Sequence, residues 1–314
     1  KTMNNIKNII YISFVLLLAS CSSQEKIDNL DKYEVVYSET PLVEVDKTIQ
    51  NHQITIPHAE INYQWPNSNM VLSEIPQNIQ VTSSLNDHNT YQIFKGADSA
   101  INMQRTPVIY KGTMYVMDYS SKLYAYNLNN LKQAKWVAKI EDASNTLLGG
   151  GISVNNNTIV VTSGSDIITA FSLDGTEIWK QQLSNISRSI PNIKDNKIFI
   201  NTIDNRLYCL SLTTGSIMWF YQGANDNLHT LQSPSPIIHN NLLIHAFSLN
   251  EVSALNIDNG QLIWNSDLSN YQISSTNIND VDLTPIINNN TLFLSSFAGD
   301  LSSINLKNGF VEWT

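Results

Sequence analysis

Lys197-Ile198-Phe199-Ile200, Asp204-Asn205, Leu207-Tyr208-Cys209-Leu210, Thr214-Gly215 and Ile217-Met218-Trp219 follow one another between residues 197 and 219. Short β-branched and aromatic runs separated by turn formers read as an antiparallel meander. The pattern recurs on either side. Trp136, Trp179, Trp219, Trp264 and Trp313 close five copies of a unit of about 43 residues. Four copies carry a glycine four residues before the tryptophan, at Gly175, Gly215, Gly260 and Gly309. Pro107, Pro191, Pro236 and Pro285 stand near the start of four copies, where a missing N–H is tolerated at the beginning of a strand. Strands and turns repeating at this period predict an all-β chain of stacked four-stranded sheets, a β-propeller.

The inner detail of the repeat points the same way. Ile159-Val160-Val161, Leu242-Leu243-Ile244 and Leu292-Phe293-Leu294 are apolar without alternation, as strands covered on both faces require. In the third strand of each copy a small residue holds one place: Ala125, Ala170, Cys209, Ala254 and Ser303. Close approach of neighbouring sheets explains it. The tryptophans could be stacking platforms for sugars or bases, but their fixed place in every copy favours wedges between sheets. Trp65 lies outside the period.

Lys7, the apolar run Ile9 to Leu18 and then Ala19-Ser20-Cys21 describe a secretory signal, too short to cross a bilayer as a mature helix. The tetrad Leu18-Ala19-Ser20-Cys21 resembles a bacterial lipobox, which makes Cys21 the expected lipidation site. An ordinary signal with an incidental cysteine is the alternative. Ser22 in place of aspartate at the next position favours, by the same resemblance, the outer membrane. Residues 1–20 are therefore read as signal peptide, 21–53 as lipidated cysteine and polar tether, and 54–314 as propeller. Ile54-Thr55-Ile56-Pro57 is the candidate for a strand closing the last blade, and residues 66–105 are expected to supply part of another. The chain stops one residue after a blade-closing tryptophan and reads as C-terminally truncated, since a missing continuation leaves a sheet edge unpaired.

Charged residues make up 14% of the 314, and the net charge is −9. There is no basic surplus to neutralise phosphates, so nucleic acid is not an expected partner. Two cysteines make no disulfide framework, and Cys209, at the small place of its strand, reads as a buried thiol.

Tyr124-Ala125-Tyr126-Asn127-Leu128, and Ala254-Leu255-Asn256-Ile257-Asp258-Asn259-Gly260 followed by Trp264, resemble the PQQ-type propeller repeat. Together with the lipobox, Ile54-Thr55-Ile56-Pro57 leading to Asn62-Tyr63-Gln64-Trp65-Pro66, Thr106-Pro107-Val108 with Tyr115-Val116-Met117-Asp118, and Asp280-Val281-Asp282-Leu283-Thr284-Pro285 resemble the BamB family of outer-membrane assembly lipoproteins. The resemblance implies an eight-bladed propeller of four-stranded PQQ-like blades, tethered to the inner leaflet of the outer membrane. It implies a non-catalytic scaffold of the β-barrel assembly (BAM) complex that binds the POTRA domains of BamA and aids outer-membrane protein insertion. The contacting loops implied are Asp280 with Asp282, and Leu228, Leu231 and Gln232 one blade earlier, where Gln232 replaces the family's arginine. Asp280 and Asp282 are also good turn chemistry ahead of a strand.

Two rivals remain open at this level. One is a quinone-dependent dehydrogenase on the same fold. That family's adjacent cysteine pair is missing, the six histidines show no metal-ligand spacing, and Gly149-Gly150-Gly151 has no strand–loop–helix context. No catalytic residue, metal ligand or cofactor is therefore assigned. The other is a lipoprotein propeller that binds a different periplasmic ligand.

Overall fold

The computed structural model describes residues 56–68, 78–80, 106–118, 120–140, 149–224, 233–247, 250–268, 284–296 and 299–314. Among these there is no helix, and the strands form five four-stranded antiparallel sheets. Blade 1 contains β1 (Val108–Tyr110), β2 (Thr113–Met117), β3 (Lys122–Asn127) and β4 (Asn130–Lys139). Blade 2 contains β5 (Gly151–Asn155), β6 (Thr158–Thr162), β7 (Ile167–Ser172) and β8 (Glu177–Gln182). Blade 3 contains β9 (Asn192–Lys194), β10 (Lys197–Thr202), β11 (Arg206–Ser211) and β12 (Ile217–Gln222). Blade 4 contains β13 (Ile237–His239), β14 (Leu242–Ala246), β15 (Glu251–Asn256) and β16 (Leu262–Asp267). Blade 5 contains β17 (Ile286–Asn288), β18 (Thr291–Ser295), β19 (Leu301–Asn305) and β20 (Val311–Trp313). Every sheet pairs its strands in chain order, so each repeat is one meander and the fold is a β-propeller. The four prolines stand one residue before β1, β9, β13 and β17, and Gly151 opens β5 where proline is absent.

The core lies between blades. On β6, Ile159 and Val161 pack with Val108, Leu123 and Ile140 of blade 1, while Val160 between them packs with Ile198 and Leu210 of blade 3. On β10, Ile198 and Ile200 join blade 2 and Phe199 joins Leu243 and Leu255 of blade 4. Successive side chains point to opposite faces, and both faces are covered, which is why these runs lack alternation.

Each small third-strand residue stands opposite the tryptophan of its own blade. The pairs are Ala125 with Trp136, Ala170 with Trp179, Cys209 with Trp219, Ala254 with Trp264 and Ser303 with Trp313. Immediately after it the register shifts, a β-bulge at the same place in all five described blades. The bulge twists the fourth strand, aims the indole at the next blade and turns the residue before it outward. Ile178, Met218 and Ile263 occupy that outward place and are about half exposed. The wedge reading holds for Trp136, Trp179, Trp219 and Trp264, each of which meets the following blade, whereas Trp313 is 48% exposed. The indole N–H of Trp136, Trp179 and Trp264 donates to the carbonyl of Leu173, Leu212 and Leu306 in the following blade, at 3.0, 2.9 and 2.8 Å. Each repeat's glycine serves the preceding blade's tryptophan rather than its own. A Cβ on Gly260, at φ +70°, would meet the Trp219 ring at 2.6 Å.

Ile56 and Pro57 belong to no strand, and Ile56 is 73% exposed; Ile54 and Thr55 lie outside the described residues. Among the described residues before β1, the bridges to the blades come from Trp65 and Asn67. Trp65 exchanges two backbone hydrogen bonds with Ile109 of β1, at 2.7 and 2.8 Å. The Ser68 N–H donates to the Ile152 carbonyl of β5, and the Ser68 hydroxyl accepts the Ile152 N–H. This short segment therefore joins the first strands of blades 1 and 2.

Candidate partner-binding face

Cys21, Leu228, Leu231, Gln232, Asp280 and Asp282 all lie outside the described residues. The structure gives the ground from which the two expected contact segments leave and to which they return. Segment 225–232 connects β12 to β13, and segment 269–283 connects β16 to β17.

The first leaves after Gly223, whose N–H donates to the Asn205 carbonyl at 2.8 Å. The Asn205 amide donates to the Ala224 carbonyl, and the Ala224 N–H donates to the Glu251 carboxylate of the next blade at 3.0 Å. It returns at Ser233, whose hydroxyl accepts from the Asn201 amide at 2.7 Å. The second leaves after Leu268, held by the Asn250 carbonyl at 3.0 Å, and returns at Thr284. The Thr284 hydroxyl accepts the Ser235 N–H at 3.2 Å, and the Ser235 hydroxyl accepts the Ile190 N–H at 2.9 Å. A chain of hydrogen bonds thus ties together the return points of both segments. The described residues on either side of both segments lie at one end of blades 3 to 5. That is where a meander puts its fourth-to-first and second-to-third strand connections.

One feature of this neighbourhood escapes the sequence reading. Met218 and Phe220 of β12 are 51% and 56% exposed. The Arg206 guanidinium lies 5.1 Å from the Phe220 ring centroid and donates to the Tyr208 hydroxyl and the Gln222 side chain, at 3.2 and 3.0 Å. Aromatic, methionine and arginine side chains are the types enriched at protein interfaces in general. Ile217 to Tyr221 is continuously apolar in sequence, so nothing in the run distinguishes its outward members; the bulge decides them.

Among the described residues, the Cys209 thiol and the His245 imidazole are placed for packing. Burial pushes the Cys209 thiol up to about 12, far from the thiolate a nucleophile needs. His245 is fully buried edge-on to Phe247 at 4.5 Å, and burial pushes its pKa down to about 3, so the ring is neutral. Gly150 donates its N–H to the Arg188 carbonyl at 2.8 Å, a tie between blades 2 and 3. Among the described residues no group of three or more histidine, cysteine or acidic side chains could hold a metal ion.

Comparison with known proteins agrees with the blade architecture. The family model described as outer membrane protein assembly factor BamB matches residues 131–314. An uncharacterized protein of Rickettsia prowazekii is 26% identical over 166 residues, which is 52% of this chain and 40% of that protein. Outer membrane protein assembly factor BamB of Yersinia pestis is 23% identical over 179 residues, 55% of this chain and 44% of that protein. The matched segment spans less than half the length of these curated relatives. Among solved structures, BamB from Moraxella catarrhalis superposes with a TM-score of 0.57 at 17% identity, covering 70% of this chain and 65% of that one. A europium-containing methanol dehydrogenase superposes at 0.53 with 14% identity, covering 65% and 49%. At such identities the structural likeness shows the fold alone. The family match spans more than half of the chain, and the chain belongs to the BamB family of outer membrane protein assembly factors.

Proposed function

We propose that this protein is a non-catalytic scaffold lipoprotein of the outer-membrane β-barrel assembly complex. In this reading it binds the POTRA domains of BamA and, with the other members of the complex, aids the folding and insertion of outer-membrane proteins. Cys21 carries the lipid anchor, and the propeller faces the periplasm. The observation that carries the reading is the family match over 131–314, which contains both expected contact segments. Two sets of hydrogen bonds support it: the Asn205–Ala224 bond holds the departing end of the first segment, and the Ser235–Thr284 bond ties the residues beside both returning ends. A scaffold needs such a rigid base and no reactive centre. The packed roles of Cys209 and His245 support the same view.

The test is co-purification of the lipidated protein from gently solubilised membranes, with partners identified by mass spectrometry. A POTRA-bearing barrel protein and accessory lipoproteins should be recovered. Reproducible recovery of other partners, without the barrel protein, would overturn the assignment while leaving the fold untouched.

A further inference from the structure

The seam between blades 4 and 5 holds a partly open cavity of about 10 Å³, close to the smallest volume that holds one water-sized occupant. Its walls are Leu268 and Leu294. Its polar lining comes from Asn250 in the turn between β14 and β15, from Ser296 and Asp300 in the turn between β18 and β19, and from Ser302 and Thr314. Asn250 is 1% exposed, and neither its Oδ1 nor its Nδ2 has a hydrogen-bond partner. Asp300 Oδ2 is likewise buried and unpartnered. The hydroxyls are turned to each other or to backbone: Ser302 shares a bond with Thr314 at 3.0 Å, and Ser296 accepts the Asp300 N–H at 3.2 Å.

A carboxylate oxygen out of reach of solvent and without a donor is unfavourable, and Asp300 Oδ2 is such an atom. The seam also sets a buried amide carbonyl, free of other duty, on the same small space. The Asn250 backbone, at φ +57°, accounts for asparagine or glycine at this position but not for the orientation of an unpaired amide into a cavity. In blade 3 the corresponding Asn205 spends its amide on the Ala224 carbonyl. Oxygen donors with a single carboxylate, in an irregular arrangement, suit a hard cation that tolerates variable geometry, which calcium does and magnesium does not.

We propose that the Asn250–Asp300 cavity is a weak binding site for a divalent cation of the calcium class, held by Asn250 Oδ1, the Asp300 carboxylate and the adjacent hydroxyls. The ion joins two second-to-third strand turns across a blade seam. It stiffens the same end of the blades from which segments 225–232 and 269–283 emerge.

The test is thermal unfolding of the purified protein after chelation, with calcium, magnesium or sodium added at matched ionic strength. For a site of millimolar affinity, Tm should rise by about 2–4 °C at about 10 mM calcium, with a smaller response to magnesium. Asp300→Asn, which keeps the shape, should abolish the calcium response. Asn250→Gly, which keeps the left-handed backbone, should do the same. Asn250→Asp, which adds a carboxylate, should move the response to several-fold lower calcium. No calcium response in the folded wild-type protein, or one that Asp300→Asn and Asn250→Gly leave intact, overturns the proposal and leaves an ordered water as the occupant.

Discussion

Trp179 of blade 2 donates its indole N–H to the Leu212 carbonyl of blade 3 at 2.9 Å while its ring covers Gly215 of that same blade. The equivalent Trp219 makes the same ring contact with Gly260, but its indole nitrogen is buried without an acceptor. The two seams therefore share the packing and differ by one hydrogen bond. Trp179→Ala should cost about 3–5 kcal/mol by loss of a large buried ring, and Trp219→Ala less, because that ring is only partly buried. Trp179→Phe should cost about 1 kcal/mol more than Trp219→Phe, because only the former loses a made bond. Urea unfolding of the four variants checks this. Equal costs for the two phenylalanine variants would mean the indole bond contributes nothing.

Gly260 gives the converse test from the other side of a seam. Alanine there must take φ +70° and bring its Cβ to 2.6 Å from the Trp219 ring. Strain and displacement of a rigid ring should together destabilise Gly260→Ala by at least 1–3 kcal/mol. Gly299, at φ +93° with nothing within 4 Å of a Cβ, carries the backbone penalty alone and should cost less as alanine. Thermal or urea unfolding of the pair separates the ring contact from the backbone term.

The blades were legible because the residues that make them are periodic: Trp, Gly and Pro return at fixed offsets, and the non-alternating runs report strands covered on both faces. The bulge beside Ala125, Ala170, Cys209, Ala254 and Ser303 was not, because it is a property of register between strands. A sequence gives the small residue but not the extra one opposite. The pairing of Trp65–Ser68 with β1 and β5 was missed for a related reason, since a segment spanning two sheets has no period of its own. The contact residues from Leu228 to Asp282 came from family resemblance rather than from pattern. Asn250 and Asp300 look like ordinary turn residues until the seam between two blades brings them to one small cavity.

His245 makes acid stability a reporter of the blade 4 core. In the unfolded chain its imidazole titrates near 6.5, and in the fold burial holds it near 3. Between these values the unfolded chain carries a proton that the folded chain refuses. The contribution is therefore neutral above about pH 6.5, and stability falls as pH drops toward 3, with a slope approaching one proton, about 1.4 kcal/mol per pH unit. Leucine occupies the corresponding place in blade 5 at Leu294, so His245→Leu should fold, lose the unpartnered Nδ1 and show a shallower pH dependence. Denaturant unfolding of both proteins at pH 7 and pH 5 decides it. Parallel pH profiles would show that His245 is protonated without cost.

The Cys209 thiol should be silent in the native protein. With the thiol pushed up to about 12 by burial, a thiol-reactive probe at neutral pH should modify Cys209 only after unfolding. A variant with Cys21 replaced by serine leaves Cys209 as the sole thiol, so labelling kinetics in that background read opening of blade 3. Rapid stoichiometric labelling under native conditions would contradict the buried placement.

The proposed BamA contact makes a charge prediction on both segments. Asp280→Lys with Asp282→Lys should weaken binding to isolated POTRA domains at least about 30-fold if these carboxylates meet basic groups in a desolvated contact. Gln232→Arg, restoring the guanidinium that the family resemblance leads one to expect, should tighten binding, since a charge-assisted bond is about twice as strong as a neutral one. Because Thr284 and Ser233 anchor the returning ends of the two segments, Leu228→Ala with Leu231→Ala should weaken binding without altering Tm. Phe220→Ala is the control that locates the interface. If it weakens binding while the aspartate variants do not, the partner sits on the outer strand of blade 3, over the Arg206–Phe220 pair, and not on the loops.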